Sequence, residues 1–97
     1  MQEQETKTES VEIVTRQIKC LLTLTNDKLI TEIEEVISEI GEPDCKLINP
    51  CIISDDELIP WLSEVTNQTV LMMSSDKILT LVDPKPQLLK EYNQMFP

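Results

Sequence analysis

Residues 22–40 read LTLTNDKLITEIEEVISEI, and the fold turns on whether the second half of this stretch is a strand or a helix. Upstream of it the pattern is plain. From Gln17 to Thr25 the apolar side chains Ile18, Cys20, Leu22 and Leu24 fall on every second position, the period of a strand. Asn26-Asp27-Lys28 then interrupts two apolar runs with residues that tolerate the left-handed backbone of a tight turn, so a hairpin is expected there.

Beyond the hairpin the local signals conflict. Leu29, Ile30, Ile33, Val36, Ile37 and Ile40 fall at helical spacing, with Asn26 or Asp27 as a possible N-cap and Gly41 and Pro43 as a stop. Yet six of the thirteen residues from Lys28 to Ile40 are Ile, Val or Thr, whose stiff χ1 suits a pleated surface. A lone helix of this length is also marginal without packing. The local pattern by itself favours a helix.

Downstream, Cys45 to Ser54 (CKLINPCIIS) reads as a further extended run, with Asn49-Pro50 marking an edge, a bulge or a bend because proline removes a ladder donor. Asp55-Asp56-Glu57 makes an exposed turn. Leu58 to Val65 resumes an extended pattern around Pro60, with Trp61 as the expected large anchor of the core. Thr66-Asn67-Gln68 breaks the chain again before Val70-Leu71-Met72-Met73, and Ser74 to Lys77 is a tight turn into a strand from Ile78 to Val82. Asp83-Pro84-Lys85-Pro86 stops the sheet and presets a helix start, with Pro86 in its first turn. Leu88, Leu89, Tyr92, Met95 and Phe96 then form one apolar face of a short C-terminal helix.

Composition bounds the function. A chain of 97 residues fits one domain. Eighteen acids against eight bases give a formal charge of -10, and the only arginine is Arg16. Such a domain is a poor generic partner for phosphate backbones, and its acidity serves solubility or a basic partner. Residues 1–10 (MQEQETKTES) are too polar to bury enough surface, so a disordered acidic tail is expected there, ahead of a β domain over 11–83 and a helix over 84–97.

The three cysteines, Cys20, Cys45 and Cys51, form no CxxC pair, and the chain has no histidine, so neither a metal centre nor a cofactor is expected. Reduced, half-buried thiols in a cytoplasm are the simplest expectation. No apolar run is long enough for a signal segment or a membrane span. An enzyme is not expected either. General base chemistry lacks its imidazole, the acid pairs Glu34-Glu35 and Asp55-Asp56 are sequence neighbours that diverge on a strand, and a single glycine builds no phosphate loop. Cys51 has no imidazole to activate it.

The order of turns between about Gln17 and Asp83 resembles the Sm-like family (Sm, LSm and Hfq proteins), and more closely an Sm-like group associated with marine cyanophages. Leu22-x-Leu24-x-Asn26-Asp27-x-x-Ile30-x-x-Ile33 is similar to the family's strand, Asn-Gly hairpin and strand. Ile48-Asn49-x-x-Ile52 is similar to its Met-Asn-x-x-Leu run, and Val70 to Val82 to its closing strand, tight turn and strand. The resemblance implies a mainly β chain: a small, strongly bent five-stranded barrel in which Leu29 to Ile40 is the second strand. It also implies a short C-terminal helix packed on the barrel.

The same resemblance implies a homo-oligomeric ring, in which Leu58 to Met73 of one copy pairs with Ile78 to Val82 of the next. Its expected RNA-binding residues are Asn49, Lys46, Ser74, Ser75 and Lys77. Three departures bear on that expectation: Thr31 or Glu32 replaces a hairpin glycine, Ser74-Ser75 replaces the Arg-Gly of the closing turn, and the aromatic beside the pocket asparagine is absent. Those are groups that stack and hydrogen-bond bases. The alternative partner is a host or phage protein, bound by an acidic ring without nucleic acid, in a bacterial or phage-infected host cytoplasm.

Overall fold

A computed structural model describes residues 16–55 and 57–97. The expected tail over 1–10 and the start of the β domain over 11–15 lie outside them. Six strands and one helix follow in order: β1 Ile18–Thr23, β2 Lys28–Glu35, β3 Cys45–Ser54, β4 Glu57–Pro60, β5 Val70–Met73, β6 Ile78–Val82 and α1 Pro86–Met95. A single 3₁₀ turn, Ser75–Lys77, joins β5 to β6.

The disputed stretch is a strand. Ile18 pairs with Glu32 and Leu22 with Lys28 across the hairpin, where Asn26 adopts a φ of 69°. The Asn26 and Asp27 amides turn back to the backbone and hydroxyl oxygens of Thr23 at 2.9 and 3.1 Å. The first half of the helical spacing, at Leu29, Ile30 and Ile33, has a physical explanation: β2 is covered on both faces. Leu29 joins one buried cluster with Leu21 and Leu47, and its neighbour Ile30 joins a second with Cys51 and Tyr92. A strand buried on both sides carries adjacent apolar residues, which imitates a helix. The strand nevertheless stops at Glu35, short of the expected Ile40, and residues 36–44 form a loop turned by Gly41 at φ 90°.

All ladders are antiparallel, in the order β4-β3-β2-β1-β6, with β5 lying on the same side of β3 as β4. The first and last strands pair, Cys20 with Val82 and Leu21 with Leu81. The expected fourth strand is divided in two. Glu57–Pro60 pairs with the C-terminal half of β3 and Val70–Met73 with its N-terminal half, because residues 61–65 leave the ladder in turns around Leu62 at φ 63°. Among the described residues the sheet therefore has six strands rather than five. Among the described residues no ladder joins β6 to β4 or β5, so the sheet is open where a closed barrel was expected. The short β5 spends its pairing on β3 and the 3₁₀ turn carries the chain over to β1, so among the described residues neither border has a further ladder partner.

Proline explains the centre of β3. Register shifts by one residue between Ile30 and Glu32 of β2, so that Asn49 and Pro50 together face Thr31. This is a β-bulge, placed where proline has no donor to contribute. Asn49 takes a φ of 53°, a conformation asparagine reaches more readily than other non-glycine residues. The carbonyl exposed by the bulge is captured from above: Tyr92, wholly buried, donates its hydroxyl to Ile48 and Asn49 oxygens at 2.9 Å each and accepts the Glu32 amide at 3.1 Å. Leu88 and Phe96 fill the same cluster, so α1 packs on this open sheet, where the expectation was a barrel beneath it. Tyr92, and not Trp61, is the deepest aromatic ring. Trp61 is half-buried against Leu21, Leu29 and Leu47.

Candidate functional site

Four of the five residues singled out from the sequence are neighbours. Cys45 pairs with Met73 and Lys46 with Met72, which brings the start of β3 alongside Ser74–Lys77. The fifth is elsewhere. Asn49 lies three residues further along β3, about 10 Å at strand rise, where its backbone amide donates to Thr69 at 2.7 Å and its carbonyl serves Tyr92. Its backbone there is in the left-handed region, at the bulge of β3.

Two of the groups that would meet a phosphate, Ser75 and Lys46, are already engaged by carboxylates. Asp44 accepts the Ser75 amide at 2.7 Å and the Ser75 hydroxyl at 2.8 Å, and these two bonds hold its carboxyl below the usual value, the hydroxyl contributing most. Lys46 Nζ lies 3.5 Å from Glu34 Oε1 across the β2–β3 pair. Lys77 is held by its backbone, its amide donating to Ser74 and its carbonyl accepting from Leu24, both at 3.0 Å. No aromatic ring lies among the lining residues of the adjoining groove. Tyr92 is buried and stacks on Phe96 at 5.0 Å between ring centres.

That groove, about 740 Å³, runs between β2 and the bare border of β6, with Ile33, Leu79 and Leu81 on its walls and Glu32, Glu34 and Glu35 among its polar lining. Arg16 lies in the same groove, its guanidinium bonded to Glu32 at 3.1 Å and to the Phe96 carbonyl at 3.1 Å. A carboxylate-lined groove with apolar walls suits a polypeptide better than a polyanion.

Two surfaces stand out besides these residues. The first is the pair of sheet borders, which fall on the edges expected over Leu58 to Met73 and Ile78 to Val82. Leu79, Leu81 and Val82 on β6 are exposed, as are Val70 and Met72 on β5 and Ile59 on β4. The second is the loop 36–44, where Ile37 and Ile40 are fully exposed. Its signal in the sequence was charge: from Glu32 to Asp44 there are six acids and no base.

The thiols are quiet. Burial raises Cys20 and Cys45 above the ordinary thiol value and pushes Cys51 up to about 11, so each stays protonated near neutrality, and none is in a disulfide. Among the described residues no group of three His, Cys, Asp or Glu side chains is placed to hold a metal ion, and no helix is long and apolar enough to cross a membrane.

These features define a small antiparallel β domain covered on one face by a C-terminal helix. Residues 16–97 match the model of a family of unknown function (DUF6561), and the chain belongs to that family. No curated protein matches the chain.

Proposed function

We propose that this chain is a ring-forming Sm-like subunit that serves as an acidic protein-interaction platform and performs no chemistry itself. The observation that carries the proposal is the pair of apolar borders, β4 with β5 on one side and β6 on the other, which carry no further ladder among the described residues. An unpaired edge is a template for another strand. Two different edges on one molecule make a head-to-tail contact that closes into a ring when the rotation per subunit allows. The pairing of β1 with β6 and the hairpin at Asn26 agree with the strand order that the Sm resemblance implies. Three free thiols agree with a cytoplasmic setting.

Mass measurement in solution tests the ring. A single species of several chains, unchanged on tenfold dilution, is expected. A stable monomer overturns it.

RNA binding is the second reading, favoured by the ladder that sets Lys46 opposite Met72, two residues before the turn that carries Ser74, Ser75 and Lys77. Asp44 and Glu34 occupy two of the groups that phosphate would need, Ser75 and Lys46, which is why the protein partner is preferred. Titration with short U-rich and A-rich RNA at low salt separates the two. Saturable binding at roughly tens of micromolar protein or below would restore the RNA reading.

A further inference from the structure

The loop between β2 and β3 has a composition that folding does not account for. Ile37 and Ile40 lie wholly in solvent, whereas the isoleucines of β2, Ile30 and Ile33, belong to or pack against the buried clusters. The loop is anchored at its base. The Val36 amide donates to the Asp44 carbonyl at 2.9 Å, the Asp44 carboxylate grips Ser75, and Glu42 turns back to Glu39 at 3.0 Å beside Gly41. Two aliphatic side chains are thus presented on a base-pinned tip, which lowers the ordering cost of binding them. Around them Glu34, Glu35, Glu39 and Glu42 are all exposed, and no lysine or arginine interrupts residues 32 to 44.

We infer that the 36–44 loop is the docking tip for a basic amphipathic segment of a partner protein, its apolar side covering Ile37 and Ile40 and its lysines or arginines facing Glu39 and Glu42. The charge argues for the sign of the partner and the isoleucines argue that it is a polypeptide with an apolar face. A polyanion is repelled here, and a second copy of this chain would bring the same acids against one another unless it offered one of its few lysines. The inference rests on the protein-platform part of the proposed function and is independent of the ring.

The test is calorimetric titration of the full chain, in whatever assembly it forms, with an amphipathic Leu/Lys helical peptide. A control peptide has the same lysines but serine in place of leucine. The amphipathic peptide is expected to saturate. The double variant Ile37→Ser/Ile40→Ser, both at solvent-exposed positions that leave the fold intact, should bind it about tenfold or more weakly and bind the control peptide unchanged. Glu39→Gln/Glu42→Gln should flatten the salt dependence. Three results overturn the inference: absence of saturation, equal affinity of the parent and the isoleucine variant for the amphipathic peptide, or a fall in assembly mass in the isoleucine variant, which would make the patch a contact between copies. A monomer that still binds through Ile37 and Ile40 would remove the ring and leave this inference standing.

Discussion

The hydroxyl of Tyr92 donates to the carbonyl of Asn49 at 2.9 Å, so the C-terminal helix is fastened to the one point where β3 bulges. The same oxygen accepts the Glu32 amide from β2, which makes one side chain the common partner of two strands. Removing only that oxygen, in Tyr92→Phe, strands a buried amide and loosens two carbonyls. A loss of about 1–3 kcal/mol is expected, read as a lower denaturant midpoint at unchanged slope.

Asn49 holds a left-handed backbone that alanine resists. Asn49→Ala should cost about 1–2 kcal/mol and Asn49→Gly distinctly less, because glycine reaches positive φ without a Cβ penalty. Equal effects of the two in thermal unfolding would show that the side-chain amide matters more than the backbone.

The border of β6 separates assembly from folding. Leu81 and Val82 keep their ladder to β1 while their side chains are exposed, so Leu81→Lys/Val82→Lys should leave subunit stability within about 0.5 kcal/mol and reduce the assembly to single chains in light scattering. An unchanged mass would show that β6 is not the joining edge.

Alkaline pH should unfold the protein earlier than charge repulsion alone explains. Burial raises Cys51 from 9.0 to about 11 and also raises Tyr92, so the folded state holds protons that the unfolded chain releases. Stability from these groups is complete below about pH 9 and falls as pH rises towards 11. Cys51→Ala should flatten that decline in denaturant titrations between those values.

Asp44 works in the opposite direction. Its bonds to Ser75 hold its carboxyl below the ordinary 3.8, so its contribution is present above that pH and is lost as pH falls through the folded value. Asp44→Asn should speed amide exchange at Val36, whose proton the Asp44 backbone accepts, and Ser75→Ala should do the same without adding to it.

The hairpin was legible because Asn26 and Asp27 name a turn chemically, and the C-terminal helix because Pro86 and an apolar stripe name a start and a face. The end of β2 was not, since Val36, Ile37 and Ile40 carry strand propensity without a partner to pair with, and pairing is a property of β3. The division of the expected fourth strand was hidden for a similar reason: Leu62 adopts a φ of 63° that leucine rarely takes, so its own chemistry gave no turn signal. Of the candidate site, the neighbours Lys46 and Ser74–Lys77 were within reach of sequence reasoning. The capture of Ser75 by Asp44, 31 residues earlier, needed the third dimension.

The pairing of β1 with β6 has a consequence for how the chain is made. Hairpins β1–β2, β2–β3 and β3–β4 join sequence neighbours and can form as soon as each emerges, whereas Cys20 must wait for Val82 in the last strand of the sheet. Loop closure makes that last ladder the slowest to gain. On a polysome several nascent chains would therefore wait side by side, each with an empty place beside β1 that the β6 of an older chain fits equally well. Strand exchange between siblings is thus the characteristic misassembly of this fold.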